Sequence, residues 1–221
     1  MSKILIVEGQ TDIDFFAPLL NREGLLDKVD IRPPRSYDNF SSDTVTHFPA
    51  LINLISKQLR TGQIQNLGIV ADADYVSGGG FDARWQALTQ PLADCGYRIP
   101  NPPIRRYLGN ILRHPDDLPP VGLWIMPDHK SNGMLENFIE SIIKHSPEQD
   151  ALVEYAKHCI KHLPHQLFSS YQETKAIIYS WLAWQKRPGL TLNVTISADL
   201  LDVDSRQMQG FRTWLHQVFP Q

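Results

Sequence analysis

Four carboxylates stand directly after apolar runs in this sequence. Glu8 follows the run 4–7, Asp72 and Asp74 follow the run 67–71, and Asp128 follows the run 121–126. Asp72 and Asp74 are two residues apart, so in extended backbone their side chains point the same way. Carboxylates gathered at one sheet edge repel each other, which raises a proton affinity or recruits a cation. A hard ion such as Mg2+ (or Mn2+) is held by one or two carboxylates together with water and substrate phosphate. Metal-assisted phosphoryl chemistry is the reaction class that such a donor set serves. Asp12, Asp128 and Glu136 are the further candidate ligands. For any single acid the structural use is the commoner one. A strand-end Asp makes an Asx turn or caps the next helix, and Asp12 and Asp14 suit the first turn of a helix through its dipole. Glu136, three residues after Gly133, either serves a helix start or faces solvent. The combination of Glu8 with Asp72 and Asp74 favours a site.

The elements that position these acids read as alternating strands and helices. Runs 4–7, 29–32, 67–71 and 121–126 are expected strands, and the continuous β-branched and leucine runs among them suit parallel strands buried on both faces. Helices are expected over 12–23, with Thr11 and Asp14 as a capping box and Gly24 as the stop, and over 49–60, closed by Gly62. Two more are expected over 81–95, ended by Gly96, and over 133–144. This repeat argues an α/β fold with a mainly parallel sheet flanked by helices. Ligands of such sheets bind outside the carboxyl ends of the strands. The Pro-rich stretch 100–120 is expected to hold short strands and turns. From residue 147 the pattern is helical, with helices over 150–163, 171–185 and 206–219, the second capped by Ser170 with Glu173. The expected organisation is an α/β core over 1–145 and a C-terminal helical extension over 146–221 packed on it.

Composition narrows the classes. The 221 residues suit one domain with an ample core, and their average make-up excludes a disordered, collagenous or disulfide-stapled protein. Lys and Arg number 21 against 24 Asp and Glu, a formal charge of −3, so a strongly basic nucleic-acid coat is absent. Cys95 and Cys159 are the only cysteines and fit a reducing compartment. No stretch approaches the roughly 20 apolar residues of a membrane span, and the run 4–7 is too short for a signal peptide. A cytoplasmic protein without a membrane partner is expected; a protein partner or homo-oligomer is left open.

Val7-Glu8-Gly9-x-x-Asp12 after a first strand, with a later strand ending Asp72-x-Asp74, resembles the Toprim (Rossmann-like) fold, the catalytic module of topoisomerases, bacterial primases and overcoming-lysogenization-defect nucleases. The resemblance implies Mg2+ held by Glu8, Asp72 and Asp74, with Glu8 as general acid/base, phosphodiester chemistry, and Asp12 as a further acid of the nuclease branch. A closer likeness spans nearly the whole chain. Arg84-Trp85, Gly122-x-Trp124-Ile125-Met126-Pro127-Asp128, Gly133-Met134-Leu135-Glu136 and Thr174-Lys175-Ala176 together look like a bacterial Toprim-like family labelled only as a domain of unknown function. Zinc-finger cysteines, a topoisomerase tyrosine module and an ATPase P-loop are missing from the sequence, which disfavours topoisomerase and two-domain nuclease functions.

Other residues carry weaker signals. Lys175 is either a solvated cation on an amphipathic helix or a neutraliser of transition-state charge. Arg84, Arg105, Arg106 and Arg113 are candidate phosphate contacts, set against a reading as scattered cations. His158 and His162 share a helical face compatible with zinc, but the interleaved Lys157 and Lys161 favour a polar basic face. Trp124, Trp181, Trp184 and Tyr179 fall in apolar periodic runs and are expected in the core rather than as base-stacking platforms. Glycines 78–80 lack a following Gly-Lys-Ser/Thr and read as a hinge beside the Asp pair. The leading expectation is a metal-dependent enzyme on nucleic acid, nuclease-like. A non-catalytic scaffold is the alternative, and a phosphatase using Asp72 and Asp74 is a minor one.

Overall fold

The apolar runs that end in acids become the central strands of a five-stranded sheet. The computed structural model describes residues 2–34, 52, 55, 58–101, 103 and 108–220. In it β1 (Ser2–Ile6), β2 (Val29–Arg32), β3 (Ile64–Asp72), β4 (Asn110–Leu112) and β5 (Val121–Met126) lie in the order β2-β1-β3-β5-β4. All neighbours pair parallel except β4, which runs antiparallel to β5 at the edge. The result is the α/β, mainly parallel, Rossmann-like architecture expected. β3 is longer than the run 67–71 because Ile64 and Asn66 pair with Ser2 and Lys3, which have no apolar signature of their own.

Helices α1 (Gln10–Arg22), α2 (Gly80–Asp94), α3 (Leu135–Ser141), α4 (Pro147–Lys161), α5 (Glu173–Ala183) and α6 (Arg206–Val218) flank the sheet. The helix expected over 49–60 is described only at 52, 55 and 58–60, all helical; the loop before it lies outside the described residues. Two capping expectations are corrected. α1 opens at Gly9, whose N–H donates to Asp12 Oδ2 at 3.0 Å, while Asp14 accepts instead from Gln10 Nε2 at 2.8 Å. Ser170 does not cap α5, because Ser170–Gln172 form a 3-10 turn ahead of it. α3 is shorter than 133–144, since Gly133 bridges Asp74 and Ile143 bridges Leu201, drawing the chain out of helical geometry at both ends.

Strand alternation splits the core into two layers. Leu5, Val7, Val70, Trp124 and Met126 face α1, α3 and α6, packing on Phe15, Phe16, Phe138, Phe211 and Trp214. Ile4, Ile6, Ile69, Leu123 and Ile125 face the opposite way, onto Phe81, Trp85 and Leu88 of α2 with Ile52, Ile55 and Leu59. α6 lies so close to the sheet that a Cβ on Gly122 would meet Val218 Cγ2 at 2.2 Å. Trp124 and Trp181 are fully buried, but Trp184 and Tyr179 are 38% and 40% exposed, against the expectation of core. Among the described residues no helix is long and apolar enough to cross a membrane.

Candidate functional site

The chain leaves β1 in one direction to reach β2 and returns on the other side of β1 to form β3. Such a reversal opens a crevice at the carboxyl ends of the two strands. Glu8 follows β1 and Asp72 ends β3, so both acids fall at this crevice. They are joined directly: the Asp72 N–H donates to Glu8 Oε1 at 3.0 Å. Asp72 Oδ1 in turn accepts from the Leu135 N–H at 2.9 Å, tying the end of β3 to the first residue of α3. That contact brings in Glu136, the next residue, which is 2% exposed. Asp12 enters from the first turn of α1.

A small pocket of about 170 Å³ gathers these groups, with Glu8, Asp12, Asp72, Glu136, Thr11 and Lys175 in its walls. Lys175 arrives from α5, its Nζ 3.2 Å from Glu136 Oε1. One ammonium thus stands against four carboxylates, and their proton affinities follow. Burial pushes Glu8 up to about 7, with Arg84 pulling the other way and Asp12 and Asp74 adding repulsion. Burial also pushes Asp12 up to about 6, the Gly9 N–H opposing and Glu136 adding repulsion. Asp72 stands well above the usual carboxylate range, through burial first and then through Glu8, Asp12, Glu136 and Asp74. Burial weighs against the Lys175 ammonium, but Glu136 beside it leaves its affinity raised.

Asp72 and Asp74 do not point the same way. β3 ends at Asp72, and Asp74 takes a left-handed backbone, φ 60°, while exchanging two backbone hydrogen bonds of 2.9 Å with Gly133. A Cβ on Gly133 would lie 2.7 Å from Asn137 Oδ1, so glycine permits this crossing. Asp74 Oδ2 accepts from Arg84 Nη2 at 2.9 Å, outside the pocket walls. Arg84 itself is no surface contact for a phosphate backbone. Its side chain is 5% exposed, its Nε donates to the Asp72 carbonyl at 2.6 Å, and its Nη2 stands 3.6 Å from Glu8 Oε1.

The remaining candidates are dispersed. Asp128 Oδ1 accepts from the N–H groups of Lys130 and Ser131 at 3.1 and 2.7 Å, and Oδ2 from the Ser131 hydroxyl, an Asx-type loop away from the pocket walls. Arg113 follows Leu112, which pairs with Val121 at the start of β5, so it lies at the amino end of the sheet, opposite the acids. Arg105 and Arg106 lie outside the described residues. The rings of His158 and His162 are 4.2 Å apart, yet His162 Nδ1 is spent 2.8 Å from the His158 carbonyl. Among the described residues no three His, Cys, Asp or Glu side chains are placed so as to hold a metal ion.

Several partners gave no sequence signal. Asn137 Oδ1 accepts from the Met134 N–H at 2.9 Å, and its Nδ2 donates to Thr174 Oγ1 at 3.2 Å, seating the start of α5 beside the pocket. Tyr75 adds its hydroxyl to Asn137 Oδ1 at 3.3 Å. Tyr179, one turn beyond Lys175, lies within hydrogen-bonding reach of Thr11. Asn137, Thr174 and Tyr75 are isolated polar residues that no periodicity distinguishes from solvent-facing positions, and Tyr179 carried only the apolar signal that suggested core.

An α/β sheet with an acid-lined pocket at its strand reversal defines the class: a Rossmann-like protein with strand-end carboxylates in the walls of that pocket. Residues 2–220 match the family model described as "Protein of unknown function (DUF3226)", and the chain belongs to that family. No curated protein and no solved structure matches it.

Proposed function

We propose that the protein is a Toprim-like enzyme that performs divalent-metal-dependent phosphodiester chemistry on nucleic acid, with a nuclease-like reaction. The observation that carries this reading is the convergence of Glu8, Asp12, Asp72 and Glu136 on one pocket at the β1–β3 crevice with a single ammonium beside them. The donors are all hard oxygens, the chemistry that Mg2+ or Mn2+ prefers. Such an ion is commonly bound through one or two carboxylates plus water and substrate phosphate, so a complete protein cage is not required. Glu8 and Asp72 are the residues that would hold it, with Asp12 and Glu136 near enough to orient its water. When bound, the ion would polarise the phosphate and lower the pKa of a water nucleophile.

The chain's own groups have separable tasks. Glu8, at the crevice end of β1 and tied to the Asp72 N–H, is the group placed to accept a proton from the attacking water. Lys175 is placed to meet negative charge on the phosphate from the side of α5. Arg84 keeps Glu8, Asp74 and the end of β3 in fixed relation from below.

Calorimetric titration with Mn2+ and Mg2+, with Asp72→Asn as the control, tests the reading. Saturable binding lost in the variant, followed by cleavage of labelled DNA or RNA, is the expected result. Absence of both binding and cleavage at millimolar metal would overturn it.

A second reading has its own support. Arg84 already neutralises Asp74 and part of Glu8, which is how a decayed site in a non-catalytic scaffold would be filled. Reproducible purification with a partner chain and no metal affinity would favour the scaffold.

A further inference from the structure

We propose that the site takes an unpaired nucleotide, its phosphate at the carboxylate pocket beside Lys175 and its base stacked on the exposed ring of Tyr179. The inference rests on the phosphodiester reading above and adds the substrate class: single-stranded or frayed nucleic acid rather than intact duplex.

Size comes first. The pocket, about 170 Å³, is well below the roughly 300 Å³ at which small-molecule sites begin. A phosphate and an ion fit such a volume, and a nucleoside does not, so sugar and base must lie on the rim.

The rim next to the pocket is α5 against the first turn of α1. Lys175 and Tyr179 are four residues apart and so share one face of α5, with side chains about 5–6 Å apart at their roots. Ile177 and Trp181 are buried on the far side of the helix, and Ile178 and Leu182 are buried along one flank of the Lys175–Tyr179 face. Tyr179 is 40% exposed, although its neighbours in the same apolar run are buried. Its hydroxyl comes within hydrogen-bonding reach of Thr11, a pocket-wall residue, which puts the ring next to the pocket. A half-exposed aromatic beside a phosphate-sized cleft is the arrangement by which proteins hold bases that have left the stack.

Charge separates single strand from duplex. The charged neighbours of Tyr179 are Lys175, paired with Glu136, and Asp14. A duplex face presents two phosphate backbones and is bound by many cations. The described rim supplies one ammonium with acids beside it, which suits one phosphate carried in by the ion and one flat apolar base.

Fluorescence anisotropy on the full chain tests this, using a fluorescein-labelled single-stranded oligodeoxynucleotide and the corresponding duplex in Ca2+, with Tyr179→Ala, Tyr179→Phe and Tyr179→Trp. The wild type should prefer the single strand. Tyr179→Ala should weaken single-strand binding about ten-fold while leaving duplex binding unchanged. Tyr179→Phe and Tyr179→Trp should keep the preference, although both lose the hydroxyl, which separates stacking from a structural bond to Thr11. Equal binding by Tyr179→Ala, or preference for the duplex, would overturn the inference. Mn2+ binding that depends on Asp72, with no oligonucleotide binding at all, would overturn it and leave the metal site standing. Failure of both would remove the phosphodiester reading as well.

Discussion

Arg84 and Asp74 form an ion pair of 2.9 Å in which the guanidinium is buried and the carboxylate is partly open, 5% against 31% exposed. The same guanidinium donates to the carbonyl of Asp72 and approaches Glu8. One cation from α2 therefore braces the carboxyl ends of both β1 and β3 beneath the pocket. Asp74, expected as a site acid beside Asp72, is instead paired with Arg84 and stands outside the pocket walls.

Removal of Arg84 leaves Glu8 without its nearest cation and the Asp72 carbonyl without its donor. Breaking a buried pair on one side costs about 3–5 kcal/mol. Arg84→Ala should lower unfolding stability in urea by about 3 kcal/mol, with Mn2+ recovering part of the loss. Arg84→Lys should fall between, since it keeps charge but not the fork. Coincident urea midpoints for wild type and Arg84→Ala would contradict this account.

Acidity should stabilise the metal-free protein between neutral and mildly acid pH. Glu8 and Asp12 have folded-state affinities raised to about 7 and about 6, above their ordinary values of 4.5 and 3.8. Between those values the folded chain binds protons that the unfolded chain has released, so stability falls as pH rises through that interval and levels off above it. The Tm in chelator should be higher at about pH 5 than at about pH 7.5. Asp72→Asn or Glu8→Gln should flatten that slope, and Mg2+ should raise the Tm mainly at the higher pH. A Tm that climbs from pH 5 to 7.5 in chelator is the contrary result.

Asp128 gives a sharp test of which acids belong to the site. Both its oxygens serve the loop through Ser131. Asp128→Ala should cost about 1 kcal/mol of stability and leave Mn2+ affinity at the wild-type value in calorimetry. A loss of affinity matching that of Asp72→Asn would return Asp128 to the ligand set.

Gly122 reports the seating of α6. A methyl group there meets Val218 at 2.2 Å and Trp214 at 3.2 Å. Overpacking of this kind costs about 1–3 kcal/mol. Gly122→Ala should lower the urea midpoint accordingly, and Gly122→Ala with Val218→Ala should recover much of it. No recovery in the double variant would place the strain elsewhere.

The strands, their parallel sense and the acids at their ends were legible because each rests on neighbours in sequence. A buried parallel strand is a short apolar run, and Glu8 and Asp72 follow from where such runs stop. Tyr179 and Trp184 were misread for the same reason: apolar periodicity marks a helix face without saying whether another element covers it. The caps at Thr11 and Ser170 failed because two geometries compete within one turn and the choice depends on the entering chain.

Sequence alone was enough for the α/β class and for the placing of Glu8 and Asp72 at the carboxyl ends of their strands, since these depend on local runs and their terminations. Which acids meet was settled by contacts between residues far apart. Asp74 is turned aside by Gly133, Glu136 is brought in through the Leu135 N–H, and Lys175 is brought in by α5. Arg84 is drawn inward and Arg113 left at the opposite end by strand register and helix return. Such partnerships are set by where the chain comes back to the sheet, and no short-range pattern encodes that.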